Sequence, residues 1–244
     1  MEAMRTPQFE RLRSGRYAVW ETDDGEGRMK ILALSDRVDE YLLTEGGLDG
    51  VRDVELILAC GDLPYDYLEN LLTRVNVPLL YVLGNHDGPM LRESGALTAE
   101  PEGGTNLHGK VRLVRGRSGV GVLVAGLEGS KRCGGTEHQL SEWQMFGRAL
   151  RMVPRLLWNR LRYRRALDVL ITHAPPAGAH EGEDPCHRGF RTHRELIRWF
   201  RPTFMLHGHI HPSYGVDVRP ERLGPTEILN IHGSTVLEVQ RARW

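Results

Sequence analysis

The sequence predicts a mixed α/β fold built as one domain across residues 1–244, and three observations support it. Short apolar runs of strand length recur from end to end. Stretches with helical spacing lie between some of them. No internal repeat, low-complexity segment or linker divides the chain, which is long enough for one sizeable core.

The runs that read as buried strands are residues 30–34, 54–60, 79–83, 120–125, 169–172 and 204–206, each bounded by turn residues or charge. Residues 67–75 place Leu68, Leu71, Leu72 and Val75 on one helix face. Ser141 followed by Gln144 is a capping-box start for a long helix, and Pro154 is expected to kink or split it. Its expected buried face is Phe146, Ala149, Leu150, Val153, Leu156, Leu157 and Leu161; the arginines at 148, 151, 155, 160, 162, 164 and 165 largely avoid it and read as a solvated basic face in preference to a phosphate-binding or partner surface. Thr192 followed by Glu195 suggests a second capping box before Leu196, Trp199 and Phe200. Residues 215–218, 227–231 and 235–239 return to strand pattern.

Composition narrows the function. Basic and acidic residues balance at 32 each, which argues against a whole-surface nucleic-acid footprint or a polybasic membrane attachment. Cys60, Cys133 and Cys186 are odd in number and far apart, so no disulfide framework is expected and a cytoplasmic location fits. The basic N-terminal stretch has no apolar run behind it, unlike a signal peptide, and no run reaches membrane-spanning length. The P-loop, GxGxxG, GxSxG and zinc-deaminase patterns are all missing.

The polar residues fall in a telling place. Five of the apolar runs end in Ser35-Asp36, Gly61-Asp62, Gly84-Asn85-His86-Asp87, His173 and His207-Gly208-His209-Ile210-His211. Ligands of open α/β sheets collect outside the carboxyl ends of strands, so these ends can converge on one site. A lone Asp after a strand is usually a helix cap; five such ends form a far narrower pattern.

In that order the blocks resemble the calcineurin-like metallophosphoesterase superfamily, over about residues 30–240. The resemblance implies a four-layer αββα sandwich with two packed mixed sheets. It also implies two transition metal ions, divalent or of mixed valence (Mn, Fe or Zn), and a small phosphate-ester substrate. Asp62 is expected to bridge the ions, Asp36 and His211 to hold the first, and Asn85, His173 and His209 the second. Imidazole with carboxylate suits such metals. The implied reaction is hydrolysis of a phosphomonoester or phosphodiester by a metal-activated hydroxide, with His86 as acid toward the leaving group and Asp87 orienting it. His86 acting only to position Asn85 is the alternative.

One ligand is missing. The superfamily's usual Asp-x-His is here Asp36-Arg37-Val38, and valine binds no metal. Three readings stay open: a mononuclear or non-catalytic scaffold, Asp39 standing in although a helix cap suits it better, or a ligand from elsewhere. Gly61-Asp62-Leu63-Pro64-Tyr65 resembles the GDxxY pattern of purple acid phosphatases, which implies Tyr65 as a phenolate ligand favouring trivalent iron. Loop residues His180, Asp184, His187 and Arg188 follow His173 and are candidates for a substrate rim. His207 reads as a strand end; His108, His138, His193 and His232 carry no assignment.

Overall fold

The structure, a computed structural model, describes residues 8–12, 15–19, 27–92, 95–135, 137–211 and 219–241. Thirteen of its strands make two large sheets. They are β1 (Gln8–Leu12), β2 (Gly15–Val19), β3 (Gly27–Ser35), β4 (Leu56–Ala59), β5 (Leu79–Tyr81), β6 (Thr105–Asn106) and β7 (Lys110–Arg115). The rest are β8 (Gly121–Leu127), β9 (Val169–Thr172), β10 (Phe204–His207), β11 (Glu221–Leu223), β12 (Thr226–Asn230) and β13 (Gly233–Arg241). The first sheet runs β1-β2-β13-β3-β4-β5-β6 and the second β11-β12-β10-β9-β8-β7.

Period-two alternation sets the layers. On β3, Ile31 and Ala33 enter the core between the sheets, where they meet Val122, Val124, Ile171 and Leu206. Leu32 and Leu34 point the other way, into a second cluster with Leu68 and Leu71 of helix α1 (Tyr65–Val75). The outer face of the second sheet is covered by α2 (Glu142–Tyr163) and α3 (Arg191–Phe200) through Met145, Met152, Leu156, Leu196 and Phe200. The result is the expected αββα sandwich. Strand β8 is buried along its whole length, as a strand covered on both faces must be.

Strands β3, β4, β5 and β6 run parallel, as do β8, β9, β10 and β12. In each group the carboxyl ends therefore gather at one edge. That is the whole contribution of topology to the site.

Several expectations need correction. The buried face of α2 is Met145, Ala149, Met152, Leu156 and Asn159, while Phe146, Leu150, Leu157 and Leu161 are exposed. The helix carries two apolar stripes, and its ends select between them. Ser141 and Gln144 form the reciprocal cap, and buried Asn159 donates to the Ala166 carbonyl at 3.2 Å. Pro154 lies inside a continuous helix; the bond it forfeits is to the carbonyl of Leu150, on the solvent side. Thr192 forms no capping box. Its amide and hydroxyl both donate to Glu142 at 2.8 Å, so a carboxylate from α2 caps α3. The strand expected at residues 215–218 lies outside the described residues.

Buried His193 gives a test of the fold's acid limb. Burial pushes its imidazole down to about 4, against 6.5 for a free histidine. A depressed imidazole stabilises the fold above its unfolded pKa, and that contribution is lost as pH falls toward the folded value. Urea unfolding should show stability falling between about pH 6.5 and 4, with His193 contributing on the order of 3 kcal/mol at most. His193→Phe should flatten the slope there by about one proton; an unchanged slope would contradict the assignment.

Candidate metal centre

The strand ends are drawn together by glycines. Gly61, at φ 95°, lies so close to Gly84 that a Cβ on it would sit 2.5 Å from the Gly84 amide nitrogen. A Cβ on Gly84 would sit 2.0 Å from Asp62 Oδ1, and one on Gly208 2.3 Å from Asp36 Oδ2. Asp36, Asp62 and His209 take left-handed backbone angles, φ 60°, 56° and 68°, which L-residues seldom adopt. The polar network holds them there. The His209 amide donates to both Asp36 oxygens at 3.0 and 3.1 Å, and the Asp36 amide donates to the Gly61 carbonyl at 3.2 Å.

Donor atoms of Asp36, Asp62 and His173 all lie within 4.8 Å of one another, and so do those of Asp36, His211 and His232. Asp36 belongs to both groups. Asn85 joins the first: its Oδ1 is 3.0 Å from His173 Nε2, and Asp62 Oδ2 is 3.2 Å from the same nitrogen. His209 borders it, its ring centroid 4.9 Å from that of His173.

Hydrogen-bond roles show what this arrangement suits. His173 Nδ1 faces the Cys60 carbonyl at 2.8 Å, and Nε2 faces two more oxygens. Acceptors on both sides require a proton on each nitrogen. Burial alone would lower the His173 pKa, but the charge and hydrogen bond of Asp62 outweigh it and hold the imidazole at about 9. His173 likewise outweighs burial at Asp62, keeping that carboxyl at about 2. A metal cation replacing the Nε2 proton would satisfy the same oxygens, with Cys60 fixing the tautomer.

His209 is ready in a different way. Its Nε2 donates to the Cys186 carbonyl at 3.0 Å, which leaves Nδ1 with its lone pair. Burial, aided by the His173 charge, holds the ring neutral with a pKa near 4. On the other flank, His211 Nε2 lies 3.2 Å from Asp36 Oδ1, and this bond raises its pKa. His232 Nδ1 is buried with no hydrogen-bond partner, and its ring lies 5.0 Å from that of His211. An orphaned imidazole nitrogen beside a carboxylate and a second imidazole fits a metal site.

The family model for calcineurin-like phosphoesterases matches residues 29–213. The chain belongs to that family. No curated protein sequence matches it. Among solved structures it is similar to TT1561 of Thermus thermophilus, at 20% identity and TM-score 0.54 over 84% of this chain and 89% of that one. It is also similar to GAP50 of Plasmodium, at 13% identity and TM-score 0.47 over 84% and 71%. The likeness to TT1561 concerns the fold alone.

Around this centre, other sequence assignments change. Tyr65 opens α1 and donates its hydroxyl to the Ala99 carbonyl at 3.0 Å. Burial, with the charges of Asp87 and Glu100, pushes its pKa up to about 12. Asp39 accepts from the Tyr41 amide and from the Ser234 hydroxyl, so it is a cap and brace. Val38 packs in the outer core of the first sheet. Asp87 makes no bond to His86 among the described residues. One of its oxygens accepts from the amides of Asp62 at 2.9 Å and Gly84 at 2.7 Å, bracketing the Gly61–Asp62 and Gly84–Asn85 turns.

The expected rim separates. His180 is buried, 2.8 Å from His207 and 2.7 Å from the Arg219 carbonyl, so it is an internal brace. Arg188 lines a different depression, with Lys131 and Glu181. Asp184 and His187 do reach the site: they pair at 2.6 Å, and the His187 ring lies 4.9 Å from that of His209. The carboxylate–imidazole pair expected at Asp87–His86 is thus found at Asp184–His187.

The cysteine expectation fails outright. Cys133 and Cys186 form a disulfide, Cα atoms 5.2 Å apart across 53 residues of sequence; Cys60 alone is free. Unpaired cysteines are the ground on which the sequence suggests a reducing compartment, and the bridge removes that ground. It also anchors the loop whose Cys186 carbonyl holds His209. A Cys133→Ser/Cys186→Ser double variant should therefore lose about tenfold in affinity for Mn or Zn by calorimetric titration, as outer-shell changes commonly do. Unchanged affinity would show that the loop holds its place without the bridge.

Proposed function

We propose that this chain is a two-metal phosphoesterase acting on a small phosphomonoester or phosphodiester. The observation that carries the reading is the pair of donor groups sharing Asp36. Asp36, His211 and His232 would hold one ion. Asp62, Asn85, His173 and His209 would hold the second, and Asp36, the residue common to the two groups, would take the bridging place that the sequence suggested for Asp62. His232 supplies what Val38 lacks, so neither a mononuclear site nor a degraded scaffold is required. Mn, Fe and Zn all suit these nitrogen and oxygen donors. With Tyr65 engaged elsewhere, the particular case for trivalent iron falls away.

When bound, such ions lower the pKa of water toward neutrality and neutralise charge on the phosphoryl oxygens. The chain does the rest. Asp87 brackets the Gly61–Asp62 and Gly84–Asn85 turns, so the ligand oxygens are placed before substrate arrives. His86 is exposed, and its imidazole makes no hydrogen bond among the described residues, which leaves it available to protonate the leaving oxygen. His187, oriented by Asp184 over His209, is placed to donate to a phosphate oxygen at the rim.

The test is an Mn-loaded enzyme assayed on aryl phosphomonoesters and diesters, with metal content measured in parallel. Turnover of at least one ester class is expected, with Asp62→Asn reducing kcat at least about a hundredfold. Metal stoichiometry should fall from two to one in His232→Ala and stay at two in Tyr65→Phe. Two bound ions without turnover of any ester would favour a scaffold. Two ions held at undiminished affinity in His232→Ala would remove that residue from the site.

A further inference from the structure

Helix α2 is apolar on two sides. One side carries Met145, Ala149, Met152 and Leu156 into the core. Turned well over a right angle from it, at about 100° per residue, lie Trp143, Phe146, Leu150, Leu157, Trp158 and Leu161. These are in solvent: Trp143 is 82% exposed, Trp158 56% and Leu161 78%. Isolated exposed apolar residues are ordinary, but six on one stripe of one helix mark a surface made to meet something apolar.

Charge says what kind of surface. Along one margin of the stripe run Arg148, Arg151, Arg155 and Arg162, again by helical spacing. Between α2 and β7, the edge strand of its sheet, lies a groove of about 590 Å³. Lys110, Arg112, Arg115, Arg151 and Arg155 line it, and no carboxylate does. The side chains of Arg112, Arg115, Arg151 and Arg155 make no ion pair or hydrogen bond among the described residues. The formal net charge of the chain is zero, so this concentration is local.

We infer that α2 docks flat on an anionic lipid surface, its tryptophan–leucine stripe entering the acyl boundary and its arginines meeting headgroup phosphates. The stripe, with indoles at both ends and cations alongside, matches what interfacial helices present to a bilayer. Trp143 and Trp158 stand 15 residues apart, about 22 Å along the axis, so the whole helix and not one tip would engage. A second copy of the chain is the poorer match. It would bring the same arginines and no free carboxylate, because Glu142, the helix's acidic residue, is committed to Thr192. On this inference the expectation of no membrane contact gives way to contact at the surface. It involves peripheral binding only, since no helix among the described residues is long and apolar enough to cross a membrane.

The experiment is flotation of the full chain with vesicles of phosphatidylcholine alone or with about a third phosphatidylglycerol. The protein should float with the anionic vesicles, its tryptophan emission should shift to the blue, and high salt should release it. Trp143→Ser/Trp158→Ser and Arg151→Glu/Arg155→Glu should each cut the bound fraction at least about tenfold while leaving the melting temperature within a few degrees of the parent. Should either fail to fold, Leu161→Gln, at the most solvent-exposed leucine of the stripe, should reduce binding in the same direction. Recovery of the parent protein unbound with both vesicle types would overturn the inference. So would a dimer by sedimentation that the tryptophan substitutions dissociate and that binds no lipid, because the stripe would then belong to a second copy.

Discussion

Two carboxylates in a small, largely dry space organise this molecule. Asp36 is almost wholly buried and Asp62 nearly so, and their oxygens come close to one another and to His173. Like charges at such range repel strongly in a low-dielectric setting unless positive charge is placed between them. Without metal, the chain uses a proton on His173 to meet that need. Cations of higher charge would satisfy the same oxygens, and of the surrounding imidazoles His209 is held in the tautomer that leaves a lone pair on Nδ1.

The fold serves that constraint through backbone. Parallel strands deliver the candidate ligand loops to one edge, and glycines at 61, 84 and 208 let those loops approach more closely than any side chain allows. Strained left-handed angles at Asp36, Asp62 and His209 persist because amide-to-carboxylate bonds hold them. Asp87 contributes through those bonds, and the Cys186 carbonyl does the same for His209 across a disulfide-anchored loop. The centre is therefore built by main-chain geometry as much as by its ligands.

Much of this was legible in the sequence because strand ends announce themselves: an apolar run followed by Asp, Asn or His needs no structure to be noticed. His232 obeys the same rule, two residues beyond β12, yet a single histidine after Asn230-Ile231 lacks the company that made the Gly208–His211 block conspicuous. Other features leave no local mark. Amide donors to Asp87 carry no residue identity, so an adjacent imidazole looked the better partner. Cys133 and Cys186 meet only through tertiary structure. Helix α2 has two apolar stripes, and periodicity alone cannot say which one meets the sheet; the cap at Ser141 and the buried amide of Asn159 decide it. Tyr65 matched a short pattern whose meaning depends on where the phenol points, and it points to Ala99.

The most direct measurement is a crystal structure of the protein purified without chelator and soaked in Mn, with anomalous scattering used to locate the ions. Two peaks are expected, one bounded by Asp36, His211 and His232 and the other by Asp62, Asn85, His173 and His209. A single peak, or none with His173 still bonded to Asp62 and Asn85, would contradict the account.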